Sequence, residues 1–88
     1  MKLLGWLVLG NYHGDEWCTL AEFPLPLRRS ILAPVTGLAT IFEERMQAEL
    51  AIRRTRRHWT LVRKRLSATE LERTGYCNSF RVVEAQAT

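Results

Sequence analysis

Three features of the chain predict an α+β fold. Residues 2–9 are rich in Leu, Val and Trp, and after a turn signal residues 17–23 alternate, the pattern of a β-hairpin. From Ile41 to Leu66 there is no glycine or proline, and the apolar residues recur on one helical face. A short segment from Phe80 to Glu84, rich in β-branched and aromatic residues, is expected to close the fold as a strand or a helix. The expected architecture is an N-terminal β-hairpin packed on one long amphipathic helix, followed by a short helix and a C-terminal strand or helix.

In the first strand Leu, Val and Trp dominate. Gly10, Asn11 and Gly14 tolerate unusual backbone angles, so residues 10–15 read as a turn. In the second strand Trp17, Thr19, Ala21 and Phe23 share one face, and Cys18, Leu20 and Glu22 the other. So short a link makes the pair antiparallel. Proline cannot donate to a ladder, so Pro24-Leu25-Pro26 is expected to end the second strand. Residues 24–39, with Pro34 and Gly37, read as an irregular connector.

Thr40-Ile41-Phe42-Glu43 fits the capping box that opens a helix. Projected at 100° per residue, Ile41, Ala48, Ala51, Ile52, Thr55, Trp59, Val62 and Leu66 fall on one arc. A single helix over 41–66 is expected, about 39 Å long at 1.5 Å per residue. Ser67-Ala68-Thr69-Glu70 is a second capping box, predicting a short helix that Gly75 stops. The tail 85–88 is expected to fray.

All of this suits a single domain spanning 1–88, with 47% hydrophobic and 25% charged residues. At this size folding buries only somewhat more than about 60% of the unfolded surface. The core is therefore thin, and a large enclosed substrate cavity is excluded. Two cysteines, Cys18 and Cys77, are too few for a disulfide framework and read as reduced thiols. Lys2 and the apolar residues after it imitate the start of a signal peptide. The run is short and no small-residue cleavage pattern follows, so a cytoplasmic location is expected. No apolar stretch approaches the roughly 20 residues of a membrane span, and no membrane partner is expected.

Net charge is +4 but polarised. Residues 50–69 hold Arg53, Arg54, Arg56, Arg57, Arg63, Lys64 and Arg65 with no acid, a segment of +7, while the remainder is −3. Like charges so closely spaced repel one another unless a partner supplies negative charge. Six of the seven are arginine, whose planar fork matches phosphate and carboxylate. The competing readings are a solvated helix face, a phosphate-contacting surface for DNA or RNA, and a docking face for an acidic protein.

Residues 67–83 resemble a helix-turn-helix, with Gly75 at the turn and Asn78-Ser79 opening a second helix. Leu71 lies one residue too close to Gly75, and Arg81 stands where the motif buries an aliphatic side chain. The resemblance implies that Asn78, Ser79 and Arg81 face the major groove while the Arg-rich helix grips phosphates.

Chemistry is harder to find. His13, Asp15, Glu16 and Cys18 gather metal-ligand residue types without the paired spacing of zinc sites. No phosphate-loop, dinucleotide-binding or nucleophile-elbow motif occurs. Glu43 and Glu44 complement a helix dipole. No catalytic residue, metal or cofactor is expected. The function the sequence favours is a small non-enzymatic regulator contacting nucleic acid, DNA or RNA, through Arg53, Arg54, Arg56, Arg57, Arg63, Lys64 and Arg65, with Asn78, Ser79 and Arg81. The alternative is an inhibitor or adaptor, of the kind phages and mobile elements encode, that docks on a larger protein complex. A homodimer stays open.

Overall fold

The computed structural model describes residues 2–11, 16–25, 28–34, 37–73 and 76–87. Its elements are β1 (Lys2–Asn11), β2 (Cys18–Leu25), β3 (Arg28–Pro34), α1 (Arg45–Val62), a 3-10 turn (Arg63–Arg65), α2 (Ala68–Arg73) and β4 (Ser79–Ala87). The strands form one antiparallel sheet in the order β3-β2-β1-β4, with the long helix across one face. The α+β architecture expected from the sequence is the one observed.

The hairpin forms where it was expected, with Leu9 opposite Thr19 and Gly10 opposite Cys18. Most of its turn, residues 12–15, lies outside the described residues, as does Gly75 at the expected end of α2. Beyond Thr19 the two strands part, and the segment before α1 fills the gap. Trp6 and Phe42 exchange backbone hydrogen bonds at 2.8 and 2.9 Å. On the other side of the same wedge, the Glu22 N–H donates to Thr40 Oγ1 at 2.9 Å.

The wedge explains two departures from expectation. Thr40 does not cap the helix, because its hydroxyl already serves β2. The helix starts later, at Arg45, through a capping box between Glu44 and Gln47. Gln47 Oε1 accepts the Glu44 N–H at 3.1 Å. Ile41 therefore precedes the helix and is 47% exposed, and Phe42 is the residue that enters the core.

The connector is not irregular: β3 occupies it and pairs with β2 from Leu20–Pro34 to Leu25–Arg28. Nor do the prolines end β2, since Pro24 lies within it beside a register shift between Phe23 and Leu25. Backbone polarity accounts for both. The Leu32 N–H points away from β2, donating to Thr55 Oγ1 on the helix at 2.9 Å, and Pro34, two residues on, faces the same way. The Glu22 N–H points to the wedge, and Pro24 follows it. Each proline stands where the ladder needs no donor.

The core comprises Val8, Leu20, Leu32, Phe42, Ala48, Ala51, Ile52 and Cys77, with Trp6, Cys18, Phe80 and Val82 packed against it. The expected helical stripe is buried at Ala48, Ala51, Ile52, Thr55 and Trp59, while Val62 and Leu66 are half-buried. The helix tightens into a 3-10 turn at Arg63, short of the expected end.

The second short helix forms with Ser67 Oγ accepting the Glu70 N–H at 3.2 Å. The helix-turn-helix does not form, because Ser79–Ala87 is a strand paired along β1 from Lys2–Ala87 to Asn11–Ser79. A central strand with apolar residues on both faces needs a neighbour on each side, and this segment supplies the second. The tail expected to fray contributes Ala85–Ala87 to that pairing.

Thr55 joins helix and edge strand, accepting from Leu32 and donating to the Ala51 carbonyl at 2.8 Å. Thr55→Val keeps the volume and orphans the buried Leu32 N–H. The expected loss is about 1–3 kcal/mol in chemical denaturation. Gly10→Ala places a methyl 2.7 Å from Cys77 Sγ and 2.8 Å from Leu20 Cδ1, so an overpacking cost of about 1–3 kcal/mol is expected in the same assay.

Candidate functional site

The ten residues singled out by charge and motif separate into distinct places. Arg53, Arg56 and Arg57 are exposed on α1, and Arg63, Lys64 and Arg65 form the exposed 3-10 turn that continues it. The last three follow the C-terminal end of the helix, where cations complement the backbone dipole. Arg54 leaves the group. It is half-buried in a cleft of about 360 Å³ that Glu22 and Glu43 also line. Its Nε is buried without a hydrogen-bond partner.

Asn78, Ser79 and Arg81 do not act as one helix face. Asn78 precedes β4 and lines a cleft with Arg56 and Arg63. Ser79 opens β4 and is exposed. Arg81 alternates away from Phe80 and Val82, which meet the core, so it belongs to the sheet face opposite α1. Its guanidinium lies 4.4 Å from the Trp17 ring centroid.

What the structure does assemble is a groove between α1 and β4. Arg45, Arg53 and Arg56 line one part of it, about 400 Å³, over Phe80 and Val82. Arg56 and Arg63 line the next, about 200 Å³, with Trp59, Thr60, Tyr76, Cys77 and Asn78. Arg56 is common to both and lies 5.4 Å from the Phe80 ring centroid. The one carboxylate among the lining residues, Glu49, is engaged by Arg45 at 3.3 Å. None of the other arginines of the groove is ion-paired among the described residues.

Aromatic side chains give the groove its floor. Trp59 is buried, packs edge-on against Tyr76 with centroids 5.5 Å apart, and its buried indole N–H has no acceptor among the described residues. Sequence reasoning missed Tyr76 and Phe80. Their spacing with Asn78, period two leading into a strand, was the available signal.

Cys77 lies at the base of the groove beside Cys18, and both are free thiols. Burial pushes the Cys77 thiol up to about 12, and the adjacent Cys18 adds to the shift. Cys18 Sγ also donates to the Gly10 carbonyl at 3.3 Å. Among the described residues no three histidine, cysteine, aspartate or glutamate side chains gather as a metal cluster, and His13 and Asp15 lie outside them. No described helix is long and apolar enough to cross a membrane.

No protein-family model, curated protein or solved structure matches the chain. The geometry of the groove is the ground for a functional reading.

A thiol held neutral by burial is a poor nucleophile. Alkylation of Cys77 in the native protein at pH 8 is expected to run two to three orders of magnitude slower than in urea, read by mass spectrometry. The folded pKa lies above the ordinary thiol value of 9.0, so this contribution to stability is complete below about pH 9 and is lost as pH rises towards about 12.

Proposed function

We propose that the protein binds nucleic acid, with single strands as the preferred form, along the groove between α1 and β4. The observation that carries this reading is Arg56, stacked on Phe80 and shared by two adjoining clefts that hold Arg45, Arg53 and Arg63. Cations track a phosphate backbone, and the half-buried rings of Tyr76 and Phe80 lie between them. Arg57, Lys64 and Arg65, exposed on the same helix and its continuation, extend the field to phosphates outside the groove.

Nothing in this role requires bond-making. The groove holds donors, cations and rings, and its cysteine is kept protonated by burial. We read the protein as a non-enzymatic binder.

The inhibitor or adaptor reading has its own support at the other end of α1. Ile41, Met46 and Leu50 are exposed near the cleft that contains Arg54, and apolar side chains of this kind anchor protein partners.

Filter binding at several salt concentrations separates the two. With about five phosphate contacts the log–log slope of affinity against salt is expected near −3.5 for a single strand and −4.5 for a duplex. Arg57→Gln and Lys64→Gln, both at exposed positions, should each reduce its magnitude by about 0.7 to 0.9. Single-stranded oligonucleotides should bind more tightly than duplexes of the same length. Failure to bind any DNA or RNA at about 50 mM salt, where the electrostatic contribution is large, overturns the reading.

A further inference from the structure

The two cysteines approach β1 from its two neighbours. Gly10 is paired with Cys18 of β2 on one side and with Phe80 of β4 on the other. Cys77 lies just before β4, in a segment held to the end of β1 by the Asn78 N–H, which donates to the Asn11 carbonyl at 2.9 Å. Gly10 has no side chain, and the Cys77 sulfur takes that space, 2.7 Å from where a Cβ would stand. Cys18 packs against the same core cluster, and its Sγ donates to the Gly10 carbonyl at 3.3 Å. Both sulfurs therefore meet over one glycine, where a hydrogen bond joins the two side chains. The structure holds them as reduced thiols.

We propose that Cys18 and Cys77 are a site of reversible oxidation, at which a hydroperoxide converts the two thiols into an intramolecular disulfide. Exposure assigns the roles. Cys77 is 5% exposed and Cys18 is half-buried, so the oxidant reaches Cys18 first. The Cys18 sulfur, as thiolate, attacks a peroxide oxygen, and the O–O bond breaks. Cys18 becomes a sulfenic acid, and its proton leaves in one water. The Cys77 sulfur then displaces the sulfenic oxygen. The S–S bond forms, the S–O bond breaks, and the Cys77 proton leaves with that oxygen as a second water. Each sulfur has given up one electron, and the peroxide has taken two. Burial disfavours the Cys77 thiolate, which slows the second step, but the partner sulfur is already beside it.

The bridge has a mechanical consequence. It closes a loop that runs from β2 through β3 and α1 to the start of β4, and such a closure restricts the unfolded chain. Cys77 also stands between Tyr76 and Asn78 in the groove, so the bridge ties the base of the groove to the hairpin. None of this depends on what the groove binds.

The test treats the folded, reduced full chain with hydrogen peroxide, blocks remaining thiols in urea, and maps peptides without reduction. The expected product links Cys18 to Cys77 within one chain, and dithiothreitol restores both thiols. The bridged protein should unfold at higher urea concentration than the reduced one. In Cys77→Ser the reaction should stop at the Cys18 sulfenic acid, captured by dimedone. If that variant does not fold, the wild-type mapping and unfolding curves decide alone. Overoxidation of Cys18 with Cys77 still open to alkylation overturns the proposal, as does a link between two chains. A bridged protein less stable than the reduced one also overturns it, because the fold would then not present the pair for closure.

Discussion

The fold depends on two close approaches to the central strand, each made possible by a glycine. At Gly5 a Cβ would stand 2.3 Å from the Phe42 carbonyl oxygen, and φ is +150°, a conformation side chains rarely adopt. At Gly10 it would stand 2.7 Å from Cys77 Sγ. The first approach brings in the segment that leads to α1, and the second the segment that leads to β4. Between them, β1 holds the start of the helix and the return strand in fixed relation. The groove lies between those same two elements.

That dependence explains why so many cations can share a small surface. Seven like charges on one short segment repel, and a thin core has little stability to spare. The structure reduces the strain piecemeal. Arg54 lies in a cleft that Glu22 and Glu43 also line, and Arg56 stacks on Phe80. Arg63, Lys64 and Arg65 follow the negative end of the helix dipole. Arg53 and Arg57 have no such contact. A ligand that supplies anions relieves the repulsion where it is least compensated, beside the open groove.

Local pattern was enough to read the helix, the hairpin and the short second helix, because each is specified by neighbours in sequence. The stripe from Ala48 to Trp59 is periodic, and the Ser67–Glu70 box is complete within four residues. The errors all involve contacts made at a distance. Thr40 carries a good capping signal, but its hydroxyl is claimed by Glu22, a partner no local window contains. Pro24 and Pro34 look like breakers until the direction of the missing N–H is known. Phe80 to Glu84 is ambiguous alone and becomes a strand because β1 has an empty side.

The candidate site was half legible for the same reason. Charge clustering along one helix is visible in sequence, so Arg53, Arg56, Arg57 and Arg63 to Arg65 were identified. What makes the cluster a groove comes from β4 and the residues before it: Tyr76, Asn78 and Phe80. Composition can show that a chain is polarised, but only the fold shows which cations face carboxylates and which face aromatic rings. Arg54 and Arg56 are two residues apart in sequence and carry the same charge. One lines a cleft with two glutamates and the other bridges two acceptor-poor, aromatic-floored clefts. A rotation of about 200° around the helix separates them, and that rotation sets which cleft each one lines.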